Sequence, residues 1–187
     1  MTQRKISAHY AFGSDGLMIK YPVISFSSGK ITSISSSSSL HEVAGLEFYS
    51  GVLFPLFIDI VGCKDIKDQI THTSFNTPIV SKVILQEGAV DSKTDLSQLL
   101  ISKLTQVPLL NTPYNGDYDS LPLIERISLL VQKGYFKNYL EAFYYFTSFN
   151  NIKSEIAVGA KAEFVLCRDL SFINGGQISS SMFGVLR

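Results

Sequence analysis

The chain has 187 residues, 16 basic and 16 acidic side chains, 45% apolar and 17% charged residues. That length suits one domain, or one with an appendage, and the apolar content marks a folded chain rather than a disordered one. Balanced charge gives no field to draw nucleic acid or an anionic membrane, so neither is expected as a partner.

So few charges leave apolar surface to cover, and near-zero net charge does not oppose self-association; a homodimer is expected. Cys63 and Cys167 are the only cysteines. Two cysteines so far apart do not make a disulfide framework. Met1-Thr-Gln-Arg-Lys5 leads into no apolar segment of the signal-peptide kind. The longest apolar run, residues 52–61, is broken by Pro55 and Asp59 and is too short to span a bilayer. A cytoplasmic location is the expectation.

Residues 5–12 alternate, with Ile6, Ala8, Tyr10 and Phe12 on one side, which predicts a half-buried strand. Ser14-Asp15-Gly16 is a turn signal. Residues 17–26 read as a second strand, where Pro22 argues for an edge or a bulge. Ser28-Gly29-Lys30 turns the chain into a return strand over 30–35. Serines 35–39 read as a polar connector. Residues 46–50 and 52–61, meeting at Gly51, complete an antiparallel β module.

The middle is more polar. Residues 63–77 read as loop or short helix, and 78–86 as a β-branched strand. Leu96, Leu99, Leu100 and Leu104 have helical spacing, with Thr94 or Asp95 as N-cap. A short strand over 107–110 precedes a turn-rich loop over 111–119. A helix follows from Ser120 to about Lys133, with Leu123, Ile127 and Leu130 as its core face and Gly134 behind it. Residues 138–149 predict a second helix, whose rings at three- and four-residue spacing are core, with Tyr145 off the stripe as an interface candidate. Strands over 162–168 and 177–186, separated by the Gly175-Gly176 turn, end the chain.

Two stretches carry a family likeness. Leu53-Phe54-Pro55-Leu56-Phe57-Ile58-Asp59 resembles the Leu-x-Pro-Gly-Phe-Val-Asn-x-His-x-His entry segment of the metal-dependent amidohydrolases, the deaminase and chlorohydrolase group. Gly159-Ala160-Lys161-Ala162-Glu163-Phe164-Val165-Leu166 is similar to the family's Gly-Lys-x-Ala-Asp-Phe-Val-Leu exit, with Glu163 for the usual Asp. The resemblance implies an α+β fold: an antiparallel β-sandwich, the composite domain of that family, built from N- and C-terminal strands, with helices from the middle of the chain packed on it. It divides the chain at 1–62, 63–154 and 155–187, one compact domain overall.

The resemblance also implies what is missing. A (β/α)₈ barrel takes ~250 residues, and only the residues between Cys63 and Asn111 remain for it. Val61 and Cys63 stand where the two metal-binding histidines of the family fall. A catalytic metal takes about three protein ligands and an open position for the water it activates. His9 and His41 lie far from the expected site in sequence, and only His72 lies near it. The leading expectation is therefore a non-catalytic remnant, a binding or structural module without cofactor. The alternative is a metal-dependent hydrolase of non-peptide C–N bonds, with zinc at Cys63, His72 and Asp117 or Asp119. A third reading is a subunit that completes another protein. No Gly-x-Ser-x-Gly nucleophile elbow is present, and Gly13-Ser-Asp-Gly16 and Gly175-Gly176 are turns rather than phosphate loops.

Overall fold

The computed structural model describes residues 3–37, 43–61, 78–86, 104–107, 121–149 and 152–187. At the centre of its main sheet lies β1 (Arg4–Phe12). The chain then turns back twice. β2 (Met18–Lys20) pairs with the second half of β1 and β3 (Pro22–Ser27) with the first half, both antiparallel. The expected single strand over 17–26 is thus two, broken at Tyr21, whose φ of 44° takes the backbone out of the strand region. β4 (Lys30–Ser36) runs antiparallel to β3 and forms the outer edge.

β5 (Leu46–Pro55) comes next, and here the expectation of antiparallel pairing fails. The chain re-enters at the end where β1 begins, with Leu46 opposite Lys5, so β1 and β5 are parallel. The break expected at Gly51 also falls elsewhere. β5 continues through Gly51 as a bulge and stops at Pro55; β6 (Phe57–Val61) then leaves for a second sheet. That sheet is parallel throughout, in the order β6, β7 (Val80–Gln86), β8 (Leu104–Val107). Leu104, expected in a helix, opens β8, which also begins earlier than the expected strand over 107–110. The remainder of that expected helix lies outside the described residues.

Helix α1 (Leu123–Gln132) buries Leu123, Ile127 and Leu130, the face its apolar spacing predicts. α2 (Tyr139–Thr147) starts where Asn138 accepts a hydrogen bond from the Glu141 N–H through its side chain, at 2.9 Å. It is shorter than predicted: Ser148–Phe149 form β9, which pairs with β10 (Ile152–Lys153). β11 (Phe164–Cys167) then returns to the main sheet beside β5, and β12 (Phe183–Leu186) pairs on its far side. Of the strand expected over 177–186, only β12 forms; a 3-10 turn, Ser180–Met182, precedes it.

The main sheet thus has seven strands, drawn from both ends of the chain, in the order β12-β11-β5-β1-β3-β4, with β2 also on β1. It curls. The Ile31 N–H donates to the Ala160 carbonyl at 2.9 Å and the Gly159 N–H to the Ile31 carbonyl at 2.8 Å, so the start of β4 meets the segment leading into β11. The concave side closes over Ile6, Ile24, Ile31, Leu53, Phe164 and Leu166. The opposite side carries Val52, Phe54 and Val165 into a second core with Phe57, Ile58 and the two helices. Among the described residues the fold is α+β, with one curled mixed sheet, one small parallel sheet, the β9–β10 ribbon and two α-helices.

Candidate functional site

β6 holds the end of the run that resembles the amidohydrolase entry segment. Its residues Phe57, Ile58 and Asp59 are all fully buried. A carboxylate with no access to water needs a cation or several hydrogen bonds. α1 supplies the cation. Arg126, also fully buried, lies one turn from Leu123 and beside Ile127, on the apolar stripe of the helix. Its Nη1 donates to Asp59 Oδ1 at 2.8 Å and its Nη2 to Asp59 Oδ2 at 3.3 Å. Nη2 also reaches the Leu121 carbonyl at 3.3 Å, just before the helix starts. The planar fork matches the carboxylate in two-point geometry, which sets the rotation of α1 on β6.

A second polar arrangement lies at the β5 bulge. Ala8 faces Tyr49 and Tyr10 faces Val52, so His9 stands opposite two residues, Ser50 and Gly51. The bulge takes the Gly51 N–H out of the ladder, and His9 Nδ1 accepts it at 3.1 Å. His9 therefore carries its proton on Nε2 when neutral, and its ring meets Phe48 edge-on at 5.2 Å. Gly51 has φ of 135°, and a Cβ there would lie 2.1 Å from the Cys167 carbonyl oxygen. Only glycine fits this crossing of β5 past β11.

Cys167 is fully buried, and its Sγ donates to the Asp169 carbonyl at 3.3 Å. Burial pushes its thiol up to about 11, so it stays protonated and inert at neutral pH. Burial likewise raises the Tyr145 phenol above its ordinary range. The sequence places Tyr145 at an interface. It instead packs on Phe136, Phe146 and Phe149 at 5.2–5.3 Å, and its buried hydroxyl has no hydrogen-bond partner among the described residues. The ring that does face solvent on this helix is Tyr144.

Of the residues named for a reduced metal site, Cys63, His72, Asp117 and Asp119 all lie outside the described residues, as does His41. Val61 closes β6 and offers no donor atom. Among the described residues no group of three or more His, Cys, Asp or Glu side chains is placed to hold a metal ion. The acidic side chain on β6, Asp59, already faces a guanidinium. No described helix is long and apolar enough to cross a membrane.

The Asp59–Arg126 pair escaped the reading of the sequence, although a signal was present. Asp59 interrupts an apolar strand, and Arg126 shares the helical face of Leu123, Ile127 and Leu130. Two opposite charges, each in an apolar stripe, point to each other.

No family model matches the chain, and no curated protein matches it. Among solved structures it is similar to an amidohydrolase from Brucella melitensis, with 20% identity over 33% of this chain and 13% of that one and a TM-score of 0.26. It is similar to the N-acyl-D-glutamate deacylase from Bordetella bronchiseptica, complexed with zinc and a phosphonate inhibitor. There the identity is 20%, the coverage 43% of this chain and 18% of that one, and the TM-score 0.28. A third is a Xaa-Pro dipeptidase with methionine bound in its active site, at 11% identity, 72% and 44% coverage, and a TM-score of 0.37. The chain thus spans 13% to 44% of the length of these structures.

Proposed function

We propose that the chain is a non-catalytic relative of the metal-dependent amidohydrolases, of the deaminase and chlorohydrolase group, acting as a binding or structural module. In this reading the curled sheet with its partner segments is the family's β-sandwich, and β6, β7 and β8 are what remains of the barrel. The observation that carries it is on β6. The residue run resembling the family's entry segment ends in an aspartate neutralised by Arg126, and Val61 follows where the first metal-binding histidine would stand. Two further features support it. β11, from the exit-like segment, lies directly beside β5, from the entry-like segment. β6 opens a run of parallel strands paired in chain order, as barrel strands are.

The module works as a homodimer in the cytoplasm. Loss of most of a barrel leaves apolar surface to cover, and a second copy covers it. Two cysteines without a framework suit a reducing compartment.

Elemental analysis of untagged protein, purified without chelators, tests the non-catalytic reading. We expect no bound zinc, manganese or iron and none taken up on addition. Near-stoichiometric metal, lost in His72→Ala together with hydrolysis of a C–N bond, would replace it with the reduced-site hydrolase. Light scattering over a concentration series tests the dimer, and a strictly monomeric protein at high concentration would end that part of the proposal.

A further inference from the structure

The segment after Gly175 lies across the aromatic core and sends one side chain, Ile178, into it. It has a glycine turn at its start, an apolar underside, and side-chain fastenings at Ser180 and at its far end, where Arg4 Nη1 donates to the Arg187 carbonyl at 3.2 Å and Arg187 Nε lies 3.7 Å from Glu163. Gly175 is left-handed at φ 85°, and a Cβ on Gly176 would sit 2.6 Å from Ser171 Oγ, so the chain turns there only as glycine. Beyond the hinge, Ile178 is buried and Met182 and Phe183 are half-buried against the helical core. The ring of Phe183 lies 6.2 Å from Phe57 and 6.1 Å from Phe143. β12 then forms the edge of the main sheet, paired only to β11 along four half-buried residues.

The fastening nearest the glycine turn is Ser180. Its hydroxyl and its backbone N–H both donate to Glu125 Oε1, in the first turn of α1. The other oxygen, Glu125 Oε2, is buried with no hydrogen-bond partner among the described residues. A carboxylate oxygen buried this way is destabilised, and opening to water relieves it. The closed state thus holds a strong contact and a cost in one side chain. Half-buried residues on an edge strand belong to the low-stability end of a fold.

We propose that residues 177–186 are a latched strap. They swing on Gly175-Gly176, are held shut by Ser180 on Glu125, and open locally to bare the rings of Phe57 and Phe143 while the rest of the sheet stays folded. The proposal does not depend on the chain being catalytic or not.

Amide hydrogen exchange on the intact protein tests it. In Ser180→Ala, which removes the hydroxyl bond and keeps the backbone N–H bond, the β12 amides that bond β11 should exchange roughly five- to tenfold faster, the loss expected for one hydrogen bond. Amides of β1 and β5 should keep their protection. Ser180→Thr, which retains the hydroxyl, should behave as the parent. Fluorescence of the apolar dye 8-anilinonaphthalene-1-sulfonate should rise in Ser180→Ala and not in Ser180→Thr. Unchanged β12 protection in Ser180→Ala, equal loss in β1 and β5, or a Thr variant as open as the Ala variant would each overturn the latch.

Discussion

A guanidinium with no water around it has to be met by a carboxylate, and in this core Arg126 meets Asp59. Removing one partner strands the other. Arg126→Met should lower stability by about 3–5 kcal/mol, read from urea unfolding. The double change Asp59→Leu with Arg126→Met should recover most of that loss, because an apolar pair of similar volume suits the same place. A double variant as unstable as the single one would show that the pair does more than neutralise itself. At the bulge, His9→Ala leaves the Gly51 N–H without its acceptor and should cost about 1–3 kcal/mol. Cys167 adds a dependence on pH. Its thiol titrates at about 11 in the fold against an ordinary 9.0, so the unfolded chain releases the proton first. Its contribution is therefore intact below pH 9.0 and is lost as pH climbs toward about 11. Cys167→Ala should flatten that alkaline decline, measured by denaturant midpoints across the range.

At the scale of elements, α2 matters most through one ring. Phe143 touches Phe54 at 4.8 Å, Phe172 at 5.5 Å and Phe57 at 5.7 Å, and so joins β5, β6 and the Ser171–Asn174 turn. Phe143→Ala should cost about 3–5 kcal/mol, seen as a lower thermal midpoint. Much of this layer is legible in the sequence, because a helix that buries one stripe advertises it: Leu123, Ile127 and Leu130 are inside as their spacing requires. The strands are less so. Alternation in residues 5–12 reveals a strand but not its neighbours, and nothing local says that Leu46 will enter beside Lys5 in parallel. Residues 17–26 and 177–186 read as continuous strands because apolar content does not register Tyr21 leaving the strand region or the 3-10 turn at Ser180–Met182. Tyr145, off the main stripe, is half-buried because a loop ring, Phe136, packs on it, which spacing along the helix does not register.

At the scale of the molecule, the likeness to the amidohydrolase entry and exit segments anticipates that strands from both ends share one sheet. It does not reveal that an internal ion pair occupies Asp59. The candidate ligands Cys63, His72, Asp117 and Asp119 lie outside the described residues, so the structure leaves that part of the sequence reading as it was. Metal analysis and light scattering address it at this scale.

The placement of β11 also bears on synthesis. β5 has β1 on one side, made before it, but receives β11 on the other only after some hundred further residues. While the ribosome works through that interval, the flank of β5 that β11 will take has no described strand beside it. Such late closure slows folding and invites association of unfinished chains. A nascent chain arrested before Phe164 should therefore depend on chaperones, and one released there should aggregate rather than wait.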